Sequence, residues 1–156
     1  IAGHRIKGPA LGVAWDGSGE GEDGTLWGGE GLAISTDGYQ RIAHLRSWPL
    51  PGGERGQREP RRAALGLLLE AFGAGWREHS SPLAAAFSAE ELVVLERSTM
   101  QGINSPRCSS VGRLFDAVAA LLGLAQRCSH EAQAALALAG LARAGPEQGR
   151  TTPSQL

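Results

Sequence analysis

The fifteen residues from Asp16 to Glu30, DGSGEGEDGTLWGGE, hold six glycines and five carboxylates between two apolar runs. This composition serves geometry and charge, not a core. Glycine accepts positive φ and lets a ligand approach the backbone, while crowded carboxylates repel one another until water, a cation or a basic partner compensates them. Two familiar chemistries are excluded by spacing. Gly19, Gly21 and Gly24 spell GxGxxG, yet a dinucleotide fingerprint needs a helix after its third glycine, and Thr25-Leu26-Trp27-Gly28-Gly29 cannot begin one. A calcium loop counted from Asp16 reaches Trp27 where its bidentate glutamate must stand. What remains is a strand, turn, strand hairpin. Its Asp16 could hold a cation and its turn at Gly17, Ser18 and Gly19 could cradle phosphate, with a plain solvated loop as the alternative.

A second candidate group opens a helix. Ser109-Ser110-Val111-Gly112 can present a helix N-terminus to an anion, and Asp116, one turn further on, can accept hydrogen bonds from ligand hydroxyls. The competing reading is a surface (i, i+3) ion pair between Arg113 and Asp116, worth a few tenths of a kcal/mol. The histidines His4, His44, His79 and His130 are scattered without HxxxH or HExxH, so they form no helical metal site. Cys108 and Cys128 stand twenty apart with no CxxC, which argues against zinc and against a disulfide framework. They read as idle thiols in a reducing cytoplasm. Residue types alone assign no catalytic residue.

These groups must be carried by a recognisable order of elements. Ala10–Trp15, Thr25–Ser35 and Tyr39–Arg46 are strand-like and joined by turn signals, giving a three-stranded meander. The stretch from Trp48 to Gly53, WPLPGG, reads as an ordered loop or linker. Glu59-Pro60 opens a helix carrying Ala64, Leu65, Leu68, Leu69 and Phe72 to Gly73. Ser88 and Glu91 form a capping box for a helix reaching Gly102, with Leu92, Val93, Leu95 and Met100 as its apolar residues. Val111, Leu114, Phe115, Val118, Leu121 and Leu122 make a stripe ending at Gly123, and Ser129-His130-Glu131 caps a last helix through Ala142. Strands followed by helices place the chain in the α/β or α+β classes.

Composition bounds the partners. The chain of 156 residues has fifteen basic and sixteen acidic side chains, net charge -1, and therefore no basic footprint for nucleic acid or for a membrane surface. No apolar run approaches the roughly 20 residues of a membrane helix, which together with the thiols suggests a cytoplasmic protein. Residues 1–143 are expected to form one unit, and the polar residues 144–156 a disordered tail.

Taken together and in order, LGVAWDGSGEGEDGTLWGGE (11–30), RIAHLRSWPLPGG (41–53), REPRRAALGLL (58–68), NSP (104–106) and SSVGRLFDAVAALLGL (109–124) closely resemble the carbamoyltransferase region of HypF-type hydrogenase maturation factors. More distantly they are similar to antibiotic O-carbamoyltransferases and to the tRNA threonylcarbamoyladenosine synthase subunit. The resemblance implies an α/β fold, a partial actin/Hsp70-like ATPase lobe in which the meander is followed by helices. It implies ATP-dependent carbamoyl transfer, from carbamoyl phosphate through carbamoyl-adenylate to the C-terminal cysteine of a HypE-like acceptor, with a divalent metal (Fe, Zn or Mg) in the family. By the same resemblance Asp16 is a metal ligand, Gly17, Ser18 and Gly19 lie on the phosphate side, and Gly112 and Asp116 belong to the nucleotide site, Asp116 towards the ribose. Departures accompany the matches: Ser18 stands for Thr, Glu20 for an aromatic, Cys108 for Thr and Ala132 for Gly. The family's HxxxH motif has no counterpart in the sequence, and the resemblance fades near residue 139. The expectation is a chain inactive on its own. A noncatalytic scaffold module derived from the same lobe, or a relative of the tRNA-modifying subunit, are the alternatives.

Overall fold

A computed structural model describes residues 8–79, 81–130 and 132–144. The expected tail from residue 145, the start of the chain with His4, and Glu131 lie outside them. Strands β1 (Ala10–Glu20), β2 (Leu26–Ser35) and β3 (Gly38–His44) form the antiparallel meander, with β2 at its centre. β1 runs on to Glu20 instead of ending at Trp15, because pairing with β2 resumes at Gly19↔Trp27 and Glu20↔Leu26 after a break. The turn that follows is closed by the Gly21 N–H on the Thr25 carbonyl at 2.8 Å.

Two further strands were not expected. Trp48–Pro49 is β4 and Arg107–Cys108 is β5; β4 pairs antiparallel with β5, which pairs parallel with β2 at Leu26↔Cys108. The WPLPGG stretch is thus partly strand. β4 pairs only with β5, and proline's missing N–H is tolerated at such an edge. The following Gly52 and Gly53, at φ of 91° and 53°, need the freedom of glycine. They turn the chain into α1 (Glu54–Arg58), a short helix that no periodicity announced.

α2 (Pro60–Phe72) starts on its proline and stops at Gly73, as its sequence predicts. It is the core of the molecule. Ala63, Ala64 and Leu65 are fully buried, and Leu68 and Leu69 pack with Trp48, Leu50, Trp76, Leu83, Leu92 and Leu95. α2 rests so closely on β4 that a Cβ at Gly66 would lie 1.9 Å from the Pro49 carbonyl oxygen. A 3₁₀ segment (Gly73–Glu78) and α3 (Ser81–Ala84) lead to α4 (Ala89–Met100). Ser88 caps α4 by accepting the Glu91 N–H at 3.1 Å, but the reciprocal half of the box is not made. The Glu91 carboxylate instead accepts from Arg61 at 3.0 Å and Arg62 at 2.8 Å. Both arginines are buried and also share Glu59, so Glu91 answers two desolvated cations.

α5 (Val111–Leu121) packs on α2, β1 and α6 (Gln133–Ala144). It ends as a Schellman motif, with Gly123 at φ 74° and the Leu124 N–H on the Ala119 carbonyl. α6 begins at Gln133, later than its Ser129 cap implies, because Ala132 at φ 60° cannot be part of the helix; the Gln133 side chain reaches back to accept the Ser129 N–H at 2.9 Å. Phe72, Val93, Met100, Phe115 and Leu122, expected among the apolar residues of their helices, remain 38–60% exposed. No helix of the described residues is long and apolar enough to cross a membrane.

Candidate functional site

The break in β1–β2 pairing is the site's foundation. Trp15 pairs with Gly29 and Gly19 with Trp27, so Asp16, Gly17 and Ser18 face Gly28 alone and bulge out of the ladder. Gly28, at φ 151°, admits no side chain: a Cβ would lie 2.5 Å from the Asp16 carbonyl oxygen and 3.0 Å from the Ser110 Cβ. The bulge also meets the first turn of α5, where a Cβ at Gly112 would lie 2.6 Å from the Gly17 Cα. Ser110 joins the two. Its hydroxyl accepts the Arg113 N–H at 3.1 Å as the helix cap and lies within hydrogen-bonding reach of the Asp16 carbonyl, 3.0 Å, and of the Gly17 carbonyl. The positive end of α5 is thereby aimed beside the bulge.

Glu30, the last residue of WGGE, holds this arrangement from behind. Its side chain is fully buried and accepts the N–H groups of Gly28 at 2.6 Å and Gly29 at 2.7 Å, one guanidinium N–H of Arg41 at 3.0 Å, and the Ser109 hydroxyl. Arg41 in turn pairs with Asp23 at 3.0 Å and lies 4.4 Å above the Trp27 ring. The Thr25 hydroxyl and N–H both donate to Asp23 and, with Trp27 and Arg41, hold its carboxyl down to about 2. Of the five carboxylates in the opening stretch, two are thus compensated by a single arginine and by backbone.

In front of the bulge opens a cleft of about 980 Å³. Asp16, Gly17 and Ser18 form one wall, Glu54, Gln57 and Arg58 of α1 another, and Cys128–His130, Ala132 and Gln133 a third, with Arg113 and Asp116 at the base. The structure therefore gathers Asp16, Gly17, Ser18 and Asp116 around one space. Gly112 stands behind Gly17, and Gly19 has rejoined the ladder and does not line the cleft.

The (i, i+3) ion pair between Arg113 and Asp116 forms at 3.0 Å, but it is buried and not on the surface, and Gln57 of α1 offers its carbonyl to Arg113 at 2.6 Å. Burial pushes the Asp116 carboxyl up to about 6 despite the opposing pull of Arg113. A carboxyl at the base of a polar cleft accepts from a ligand hydroxyl when ionised and can donate to one when protonated. Burial likewise raises Cys108, to about 11, and Cys128, so neither thiol is a ready nucleophile. The α1 wall was missed, since five residues between Gly53 and Glu59 are too few for periodicity. The third wall left one signal: Ala132 has φ 60°, a conformation suited to the glycine that the family resemblance implies at this position.

A resident metal does not fit the described residues by themselves. Asp16 brings one carboxylate to the cleft, and no group of three or more His, Cys, Asp or Glu that could hold an ion exists among them.

Comparison with known proteins follows the same lines. Residues 12–155 match the family model described as carbamoyltransferase, Kae1-like domain, second subdomain, a match that runs past residue 139, where the sequence resemblance was expected to fade. Carbamoyltransferase HypF2 of Cupriavidus necator is 42% identical over 149 residues, which is 95% of this chain and 18% of that protein. HypF of Synechocystis sp. is 38% identical over 140 residues, 82% of this chain and again 18% of the relative. The crystal structure of full-length HypF in the phosphate- and nucleotide-bound form superimposes with a TM-score of 0.76 at 36% identity, over 86% of this chain and 17% of that one. HypF of T. kodakarensis gives a TM-score of 0.73 at 32% identity, covering 90% and 20%. The chain spans about a fifth of the length of these proteins. With its bulge, its capped α5 and its mixed sheet, the chain belongs to the HypF carbamoyltransferase family, within the Kae1-like domain.

Proposed function

We propose that the cleft receives the nucleotide part of a carbamoyl-adenylate and that the chain contributes to ATP-dependent carbamoyl transfer in hydrogenase maturation. The observation that carries this reading is the convergence of the Asp16–Ser18 bulge, the N-terminus of α5 and Asp116 on one polar cleft of about 980 Å³. Phosphate oxygens seated at Gly17 and Ser18 would meet backbone and the α5 dipole, while Asp116 takes the ribose hydroxyls. Arg58 and His130 add polar groups to the walls. In the transfer step the thiolate of a HypE-like C-terminal cysteine attacks the carbamoyl carbon. The C–S bond forms, the bond from that carbon to the adenylate oxygen breaks, and its electron pair leaves on AMP. These residues orient the leaving group; Asp16 by itself does not make a metal site among the described residues.

The hydrogenase branch is favoured over the tRNA-modifying one because the relatives described above are HypF proteins. One observation favours a noncatalytic interaction module: Leu11, Val13 and Trp15 stand 67–71% exposed along one side of β1. The deciding assay is carbamoyl-phosphate-dependent ATP/pyrophosphate exchange in the complete protein as encoded, beside ATP binding by calorimetry. Exchange that falls at least tenfold in Asp116→Asn is expected. ATP binding that is absent, or unaffected by Asp116→Asn, refutes the nucleotide reading. The 156 residues alone are expected to bind without exchange, since among the described residues Asp16 alone brings a carboxylate to the bulge.

A further inference from the structure

We propose that Glu30 is a positioning residue whose buried carboxylate clamps both sides of the Asp16–Ser18 bulge and so sets the phosphate-side wall of the cleft; this rests on the nucleotide reading above. Glu30 does not line the cleft, and its side chain has no exposed surface. A carboxylate so placed is costly unless each lone pair is answered, and here one oxygen takes the N–H groups of Gly28 and Gly29 while the other takes Arg41 and the Ser109 hydroxyl. Those partners sit on opposite sides of the bulge. Gly28 is the residue that the bulge faces across the ladder, and Ser109 precedes Ser110, whose hydroxyl reaches the Asp16 and Gly17 carbonyls.

The geometry demands an ionised group. A glutamine would turn its amide N–H groups either towards two backbone N–H donors or towards a guanidinium and a hydroxyl, so one side of the clamp must open. An apolar replacement would serve stability as well as a buried ion pair does. What it would not do is tie β2 to the β5–α5 connection at this point. Arg41 completes the device from outside, stacked on Trp27 and anchored by Asp23, where a lysine could not keep the planar contacts.

The test uses the complete protein with ATP as probe, titrated calorimetrically well below the melting temperature, in Glu30→Gln, Arg41→Lys and Leu95→Ala. Leu95 is a core residue of α4 away from the cleft, and its truncation lowers stability without touching the clamp. The expected result is an ATP Kd raised at least tenfold in Glu30→Gln and severalfold in Arg41→Lys, with a wild-type Kd in Leu95→Ala despite an equal or larger drop in Tm. A folded Glu30→Gln protein with the wild-type Kd overturns the proposal. Should Glu30→Gln fail to fold, Arg41→Lys decides by the same criterion. Should the wild type itself not bind ATP, the nucleotide reading is what fails, and the clamp is judged by amide hydrogen exchange. Selective loss of protection at Gly28 and Gly29, whose N–H groups Glu30 holds, relative to α2, in Arg41→Lys then supports it, and uniform protection overturns it.

Discussion

Asp116 offers the most quantitative test of the site. Its carboxyl is pushed up to about 6 in the folded chain against 3.8 when unfolded, because burial outweighs the attraction of Arg113 at 3.0 Å. Between those values the native state still holds a proton that the unfolded chain has released. Stability from this group is therefore fully present below pH 3.8 and lost as pH rises through about 6. Two units at 1.36 kcal/mol each amount to about 3 kcal/mol. With a urea m-value of about 2 kcal/mol/M, that is a shift of roughly 1.5 M in the unfolding midpoint. Other carboxylates run the opposite way: arginines and hydrogen bonds hold Asp23, Glu59 and Glu70 low, so their stabilisation is lost towards acid. The informative quantity is consequently the difference between wild type and Asp116→Asn, followed by urea melts from pH 4 to pH 8. Asn cannot ionise, so the variant should gain on the wild type by about 2.5 kcal/mol across that range, the rest of the effect lying below pH 4. Profiles that stay parallel would show that Asp116 is not buried as described, and its place at the base of the cleft would fall with it.

Two backbone predictions follow from single positions. Ala132 at φ 60° bears the left-handed conformation that costs an L-residue roughly 1–2 kcal/mol, part of which the freer unfolded chain of a glycine takes back. Ala132→Gly should raise stability by about 0.5–1 kcal/mol in thermal melts, and a lower Tm would contradict the strain. Gly66→Ala puts a Cβ 1.9 Å from the Pro49 oxygen and should cost about 3 kcal/mol or more by lifting α2 off β4. Gly140→Ala, in α6 with open space around it, should instead stabilise by about 0.5–1 kcal/mol. Equal effects at the two glycines in denaturant melts would refute the close approach.

The hairpin and the longer helices were legible because their signals are local. Glycine and carboxylate composition marked the bulge region, and Pro60, Gly73, Ser88, Ser110 and Gly123 stand where helix ends were read. What escaped were elements of two to six residues whose shape comes from tertiary partners. Trp48–Pro49 becomes a strand only because Arg107–Cys108 lies beside it, and α1 turns only because Gly52 and Gly53 pack on Asn104. Side-chain roles failed for the same reason. Glu91 has the spacing of a capping box, yet two buried arginines about thirty residues away make a stronger demand on its carboxylate than one exposed backbone N–H does.

The same competition explains how the site divides. Residues that line the cleft, Asp16, Gly17, Ser18 and Asp116, carry chemistry that residue type announces. Those that set its shape do not, because a buried carboxylate such as Glu30 and a surface one are the same letter in sequence. Only the distance from Glu30 to Ser109, seventy-nine residues along the chain, tells them apart. Arg113 is the intermediate case: its spacing to Asp116 is visible, but its bond to the Gln57 carbonyl of α1 and the burial of the pair are not. Burial converts a pairing worth tenths of a kcal/mol on a surface into a desolvated pair whose aspartic acid is pushed up to about 6. The cleft's acid–base behaviour is therefore set by burial, which the three-residue spacing of Arg113 and Asp116 does not announce.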